Sequence, residues 1–262
     1  MRGNILVSIF LLALCVATTR ANEDDYYASL PKPDAPMMPL TPQPHLAHPD
    51  GAQQQPSLHT ANKKAGGIDV SHYQGQINWN EVARNGDITY VYLKATEGSK
   101  LVDDTYYRNL EGARRVGLKV GCYHFYSPTT KAQDQFKNMA AVVNLKNHDL
   151  IPIIDIEHRG KASLPQFQKQ LRQFLKLVEK HYGVQPILYT SRDFYNKYLS
   201  GPFTKYKYMI ARYHEDIPQL RDNAAFVMWQ YSATSRIRGI RGNVDRSCLM
   251  DNYTLSDILL RR

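Results

Sequence analysis

The chain has 262 residues, 43% hydrophobic and 22% charged, with a formal net charge of +9 and three cysteines. This is ordinary globular composition, enough for one large domain or two small ones, with too few cysteines for a disulfide-stapled scaffold. The first residues predict export. Arg2 precedes an apolar run from Ile5 to Ala17, and Thr19-Arg20-Ala21 offers a cleavage point before Asn22. The run is too short to span a bilayer, so no stable membrane insertion is expected. A signal peptide over residues 1–21 implies a protein that is secreted, periplasmic or held in the cell envelope. A competing reading makes Cys15 a lipidated cysteine, against which the bulky Leu14 stands.

Residues 22–64 read as a disordered linker. Eight of the 14 prolines fall here, from Pro31 to Pro56, together with Gln53-Gln54-Gln55. Such a stretch buries too little apolar surface to fold, and proline biases it toward extended polyproline II. Setting aside Arg2, Arg20, Lys32 and the five acidic residues of the linker leaves 30 basic and 19 acidic residues over 63–262, a net charge of +11; Lys63 and Lys64 close the linker and the domain follows at 65–262. A basic exported domain is drawn to anionic polymers such as cell-wall material. The charges are dispersed and no nucleic-acid module is recognisable, which sets nucleic acid aside as a partner.

From Gly66 onward strand-like and helix-like segments alternate, the pattern of an α/β fold with a parallel sheet. The predicted strands are Gly67–Ser71, Ile88–Ala95, Lys119–Tyr126, Ile151–Glu157, Pro186–Ser191, Tyr206–Tyr213, Phe226–Ser232 and Gly242–Asp245. Eight strands suggest closure into a TIM-like (β/α) barrel. Helices are predicted over Tyr106–Val116 and Ala132–Leu145, and over a longer stretch carrying Phe167, Leu171, Phe174, Leu175 and Val178 between a Ser163 cap and a Gly183 stop. Later connections such as Arg192–Leu199 are short, so the helical ring is expected to be incomplete. Cys122 falls in a strand and Cys248 in a loop after the last one; both read as buried free thiols.

The densest chemistry lies at Ile151-Pro152-Ile153-Ile154-Asp155-Ile156-Glu157. In a strand, residues two apart share a face, so Asp155 and Glu157 point together while Ile156 points away. Two carboxylates at the end of an apolar strand raise each other's proton affinity and leave an acid beside a base near neutral pH. The plainer reading is a pair of salt-bridged strand-end residues. Polar groups also end the other strands: Asp69, Glu97, Tyr126, Tyr189, Tyr213, Trp229 with Gln230, and Asp245. Aromatic rings and fixed acceptors in one cleft suit a carbohydrate, whose apolar faces stack and whose hydroxyls need partners.

Six motifs then occur in order. They are Gly67-Ile68-Asp69-Val70-Ser71-His72-Tyr73-Gln74-Gly75 with Trp79, Lys94-Ala95-Thr96-Glu97-Gly98, Gly121-Cys122-Tyr123-His124-Phe125, the Asp155/Glu157 pair, Trp229-Gln230-Tyr231, and Val244-Asp245-Arg246. Together, from about Gly66 to Asp251, they resemble the glycoside hydrolase family 25 lysozymes, the Chalaropsis-type N-acetylmuramidases. The resemblance implies a flattened, irregular barrel that hydrolyses the β-1,4 bond between N-acetylmuramic acid and N-acetylglucosamine in peptidoglycan, acting as a monomer. It implies Glu157 as general acid/base, Asp155 as an ionised group assisting the 2-acetamido group, Asp69 and Asp245 as further carboxylates lining the cleft, and retention of configuration. A barrel that binds glycan without cutting it, and a hydrolase of a related polymer such as chitin, are the alternatives.

Several of these residues also have structural readings. Asp69 could cap a turn, Asp245 could pair with Arg241 or Arg246, and Glu97 could pair with a nearby Lys or Arg behind the site. His124 reads as a hydrogen-bonded core histidine, and no cluster has metal-ligand spacing, so neither metal nor cofactor is expected. Of the aromatic residues, Tyr126, Tyr189 and Trp229 are expected to touch sugar.

Overall fold

Nine strands follow one another along the chain: β1 (Ala61–Val70), β2 (Ile88–Glu97), β3 (Leu101–Val102), β4 (Lys119–Phe125), β5 (Ile153–Asp155), β6 (Ile187–Ser191), β7 (Tyr208–Ala211), β8 (Met228–Ser235) and β9 (Val244–Met250). Eight of them close on themselves in the order β1-β2-β4-β5-β6-β7-β8-β9, and β3 adds a short antiparallel ribbon to the end of β2. The computed structural model describes residues 61–261. The expected signal peptide, Cys15 and most of the expected linker lie outside the described residues; β1 begins at Ala61, inside the stretch assigned to the linker.

Neighbouring strands run parallel from β1 through β8, and β9 is antiparallel to both β8 and β1. The expectation of a parallel eighth strand ending at Asp245 is therefore corrected. Its cause is connection length: a parallel crossover needs a dozen or more residues, and only residues 236–243 separate β8 from β9. The last strand starts where the sequence reading ended it, and it contains Cys248, which was expected in a loop. Cys122 and Cys248 are both buried, and neither is in a disulfide.

Helices cover only part of the barrel. They are α1 (Trp79–Ala83), α2 (Tyr106–Arg115), α3 (Ala132–Val142), α4 (Leu164–Tyr182) and α5 (Arg192–Phe194), the last running into a π turn at Tyr195–Leu199. No helix separates β7 from β8 or β8 from β9, so the ring is incomplete, as the short connections implied. The longest, α4, starts where Ser163 and Gln166 cap each other reciprocally and stops at Gly183, whose φ of 68° suits a residue without a side chain. Its inner face of Phe167, Leu171, Phe174, Leu175 and Val178 is wholly buried. Each such side chain contributes roughly 1.5–3 kcal/mol.

Alternation along the strands sorts side chains into two cores. Val91, Leu93, Ile154, Ile156, Leu188, Ile210 and Trp229 join the helical residues in an outer layer. Tyr90, Tyr92, Ile153, Ile187, Tyr189, Met209, Met228 and Leu249 fill the barrel itself. The interior accommodates two tyrosine rings because glycines face them. A Cβ on Gly67 would lie 2.0 Å from the Tyr90 ring, and one on Gly121 would lie 2.4 Å from the Tyr92 ring. These rings form a rigid floor, with Tyr90 Oη bonded to Ser247 Oγ at 3.1 Å and Tyr92 Oη donating to the Ile151 carbonyl at 3.2 Å. Below that floor the chain's last described residues clasp the barrel: Ile151 N donates to the Ile258 carbonyl and Leu260 N to the Asp149 carbonyl, both at 2.8 Å.

Candidate active site

Above the tyrosine floor the inward positions turn polar. β5 is only three residues long, pinned on one side by Phe125↔Asp155 and on the other by Asp155↔Tyr189. Asp155 is its last residue, and the alternation carries on past the strand, so Glu157 opens toward the same side while Ile156 packs outward. Both carboxylates line one cavity of about 160 Å³, together with Asp69, Asp245, Tyr189 and Gln230.

Asp245 reaches this cavity because β9 runs backwards. The antiparallel register sets Asp69 directly across from Asp245, so the beginning of β9 lies level with the C-terminal ends of the parallel strands. Like charges facing each other across a ladder are destabilising unless one binds a proton. Desolvation and the charge of Asp245 push the Asp69 carboxyl up to about 8, against a lowering hydrogen bond from Gln230. Desolvation alone lifts Asp245 to about 6.

The Asp155/Glu157 pair is perturbed in the same sense. Asp155 is buried, its Oδ1 has no hydrogen-bond partner among the described residues, and burial followed by the charge of Glu157 holds its proton affinity well above the usual carboxylate range. Glu157 is exposed at the rim, yet the cavity walls strip water from its carboxyl and Asp245 adds repulsion, which together push it up to about 7. Both members of the pair therefore hold a proton more tightly than an ordinary carboxylate. The ionised Asp155 that the resemblance implies corresponds to the state in which the proton of the pair sits on Glu157.

Lys94 supplies the opposing charge. It lies inward on β2, only 7% exposed, with Nζ 2.5 Å from Glu97 Oε2 and 5.4 Å from the centre of the Phe125 ring. Its ammonium lowers the proton affinity of both Asp155 and Glu157. Glu97 is thus taken up by Lys94 and does not line the cavity. Gln230 organises the opposite wall. Tyr189 Oη and Tyr213 Oη each donate to its Oε1 at 2.8 Å, which fixes its amide so that Nε2 donates to Asp69 Oδ2 at 3.0 Å.

Two expected sugar contacts are corrected. Tyr126 and Trp229 sit on the outer parity of their strands. Tyr126 is fully buried against Phe167 and Phe174, and Trp229 is 1% exposed with Nε1 donating to the Arg212 carbonyl at 2.9 Å. Tyr189 lines the cavity, while Tyr213 reaches it through Gln230. His124 shares the outer parity: it bonds Thr96 Oγ1 at 2.8 Å, stacks on Phe174, and burial pushes its imidazole down to about 4.

The cavity also gathers residues that were not singled out as site residues: Lys94, Tyr73, Tyr123, Phe125, Ile153 and Met209. A parity signal was available for several of them. Counting in twos from Asp155 through the register Lys94↔Tyr123 and Tyr123↔Ile153 marks Lys94, Tyr123, Phe125 and Ile153 as inward. Tyr73 lies on the turn His72–Gln74, which Ser71 and Gln74 cap and which His72 fastens to Asp103 through Nδ1 at 2.8 Å.

Residues 68–240 match the model of a family described as glycosyl hydrolases family 25. The uncharacterised protein YegX of Escherichia coli K12 is 38% identical over 183 residues, covering 68% of this chain and 67% of that one. Lysozyme M1 of Streptomyces globisporus is 31% identical over 195 residues, covering 69% and 66%. A solved structure of a family 25 glycosyl hydrolase from Bacillus anthracis superposes with a TM-score of 0.68 at 26% identity, over 79% of this chain and 97% of that one.

Proposed function

The chain belongs to glycosyl hydrolases family 25, and from that premise we propose that it is a peptidoglycan muramidase whose chemistry rests on Glu157 and Asp155. The enzyme is a glycoside hydrolase, and the bond it cuts joins N-acetylmuramic acid to N-acetylglucosamine. Relatives named as lysozymes support the activity, and the single observation that supports the residue assignment is the pair of neighbouring carboxyls, Asp155 and Glu157, opening into one cavity. Peptidoglycan lies outside the cytoplasmic membrane, which fits the export signal read at residues 1–21.

A proton shared by two carboxyls has two useful placements. With it on Glu157, the group at the rim is an acid and the buried Asp155 carries the negative charge. Glu157 then gives its proton to the glycosidic oxygen as the bond from that oxygen to the anomeric carbon breaks. Asp155 accepts a hydrogen bond from the N–H of the 2-acetamido group, whose carbonyl oxygen forms the new bond to the anomeric carbon. Glu157, now a carboxylate, takes a proton from the water that opens the resulting ring, so configuration is retained and no carboxylate bonds covalently to sugar. Asp69 and Asp245 keep the wall acidic, and Gln230 and Tyr189 provide fixed partners for hydroxyls.

Purified sacculi test this directly. The full chain is expected to release muropeptides with new reducing muramic acid ends, and Glu157→Gln to lower the rate by roughly 10²–10⁴. Undiminished cutting in that variant removes Glu157 from the acid role. Cutting of chitin oligomers as fast as sacculi would move the substrate assignment to amino-sugar polymers in general.

A further inference from the structure

A second depression of about 870 Å³ adjoins the catalytic cavity, and Tyr73, 72% exposed, lines both. It runs from the turn after β1, past the start of α1 and the end of α2, to the loop between β8 and β9. Its walls differ from those of the carboxylate cavity. Gln76, Asn78, Asn80, Arg115 and Arg241 are all exposed there, and among the described residues no Asp or Glu lines it. Neither arginine has an ion-pair partner among the described residues, and Glu81 on α1 is already held by Arg84 and Arg238. Two unpaired guanidinium groups among side-chain amides match carboxylates and peptide bonds. Trp79 in the groove wall is only 4% exposed, which leaves Tyr73 as the one ring open to the groove among the described residues.

We propose that this groove binds the acidic peptide arm that the muramic sugar carries beside the bond to be cut, with Arg115 and Arg241 taking its carboxylates and the Asn and Gln side chains its backbone. The proposal rests on the muramidase reading and adds a recognition element to it. Tyr73 is the junction: sugar bound over the carboxylates lies on one side of its ring and the arm leaves on the other. The contrast in charge sorts the substrate, since an arm bearing carboxylates is repelled from the acidic cavity and attracted to the arginines.

Calorimetry on the full chain tests it with two probes, the N-acetylglucosamine–N-acetylmuramic acid disaccharide carrying its acidic peptide and the same disaccharide without it. The armed probe is expected to bind about tenfold more tightly, an advantage that weakens with salt. Arg115→Ala with Arg241→Ala is expected to bring the ratio close to one, and Arg241→Glu to favour the bare probe; Lys176→Ala, exposed on α4, serves as the control and keeps the ratio. Equal affinity for the two probes, or an advantage that survives the double substitution, overturns the proposal and leaves the groove to glycan or to nothing. Cutting of sacculi without any arm preference overturns this inference alone, whereas arm-dependent binding by a chain that never cuts upholds the groove and overturns the muramidase reading.

Discussion

On the same strands, adjacent residues experience opposite environments. Ile154, His124 and Trp229 face outward into a layer of packed apolar groups, where His124 bonds Thr96 Oγ1 and Trp229 Nε1 donates to the Arg212 carbonyl. Asp155, Tyr123 and Gln230, one position away, face inward to a cavity where four carboxyls crowd together and one buried oxygen has no partner among the described residues. The outer face therefore carries folding stability and the inner face carries perturbed proton affinities. Loss of function and loss of stability should separate by parity alone.

Asp155→Asn probes the inner face at its centre. The variant is expected to lose roughly 10²–10³ in the rate of reducing-end release and to melt no lower than the parent, because it removes a raised carboxyl without opening a cavity. A variant that melts lower in proportion to its lost rate would erase the distinction between the faces. On the outer face, Phe174→Ala is expected to cost about 3–5 kcal/mol in chemical denaturation while the surviving folded fraction keeps its specific rate.

Gln230→Leu comes next. It removes the amide that joins Tyr189 and Tyr213 to Asp69, and a rate loss of about tenfold with a displaced pH optimum is expected; an unchanged pH profile would reduce Gln230 to a packing residue. A thermal measurement reads Asp69. Its folded-state value of about 8 lies above the ordinary carboxylate value, so the folded chain holds a proton there that the unfolded chain has released. Stability from this group is complete below about pH 4 and is lost as pH rises toward 8. Asp69→Asn should thus melt above the parent at pH 8, with the gap closing by pH 4. The smallest effect is expected from Trp229→Phe, which forfeits one hydrogen bond worth about 1 kcal/mol and leaves KM unchanged. A large rise in KM would put the indole back in contact with sugar.

Much of this fold was legible because its strands are buried on both faces and its helices are strongly periodic. Leu164–Tyr182 declares itself through Phe167, Leu171 and Phe174 and through its Ser163 and Gly183 boundaries. The direction of the last strand was not legible, since the alternation of Val244–Met250 is the same in either sense and only the short loop before it forbids a crossover. At the site, the Asp-x-Glu spacing placed both carboxylates on one side, but aromatic identity misled. Tyr126 and Trp229 have the composition of sugar platforms and the parity of core residues, and parity prevailed. Lys94 was named within a motif but given no role, because a lysine near a strand end ordinarily reads as solvated surface, whereas here Glu97 holds it at 7% exposure beside Asp155 and Glu157.

The clasp beneath the tyrosine floor has a bearing on how the enzyme can be mounted. Ala61 pairs with Met250, at the far end of β9 from Asp245, and Leu260 bonds to Asp149 ahead of β5, so the first and last described residues share the pole away from the carboxylates. Whatever holds the molecule at Ala61 or Leu260 grips it at the pole opposite the carboxylates and leaves their cavity unobstructed.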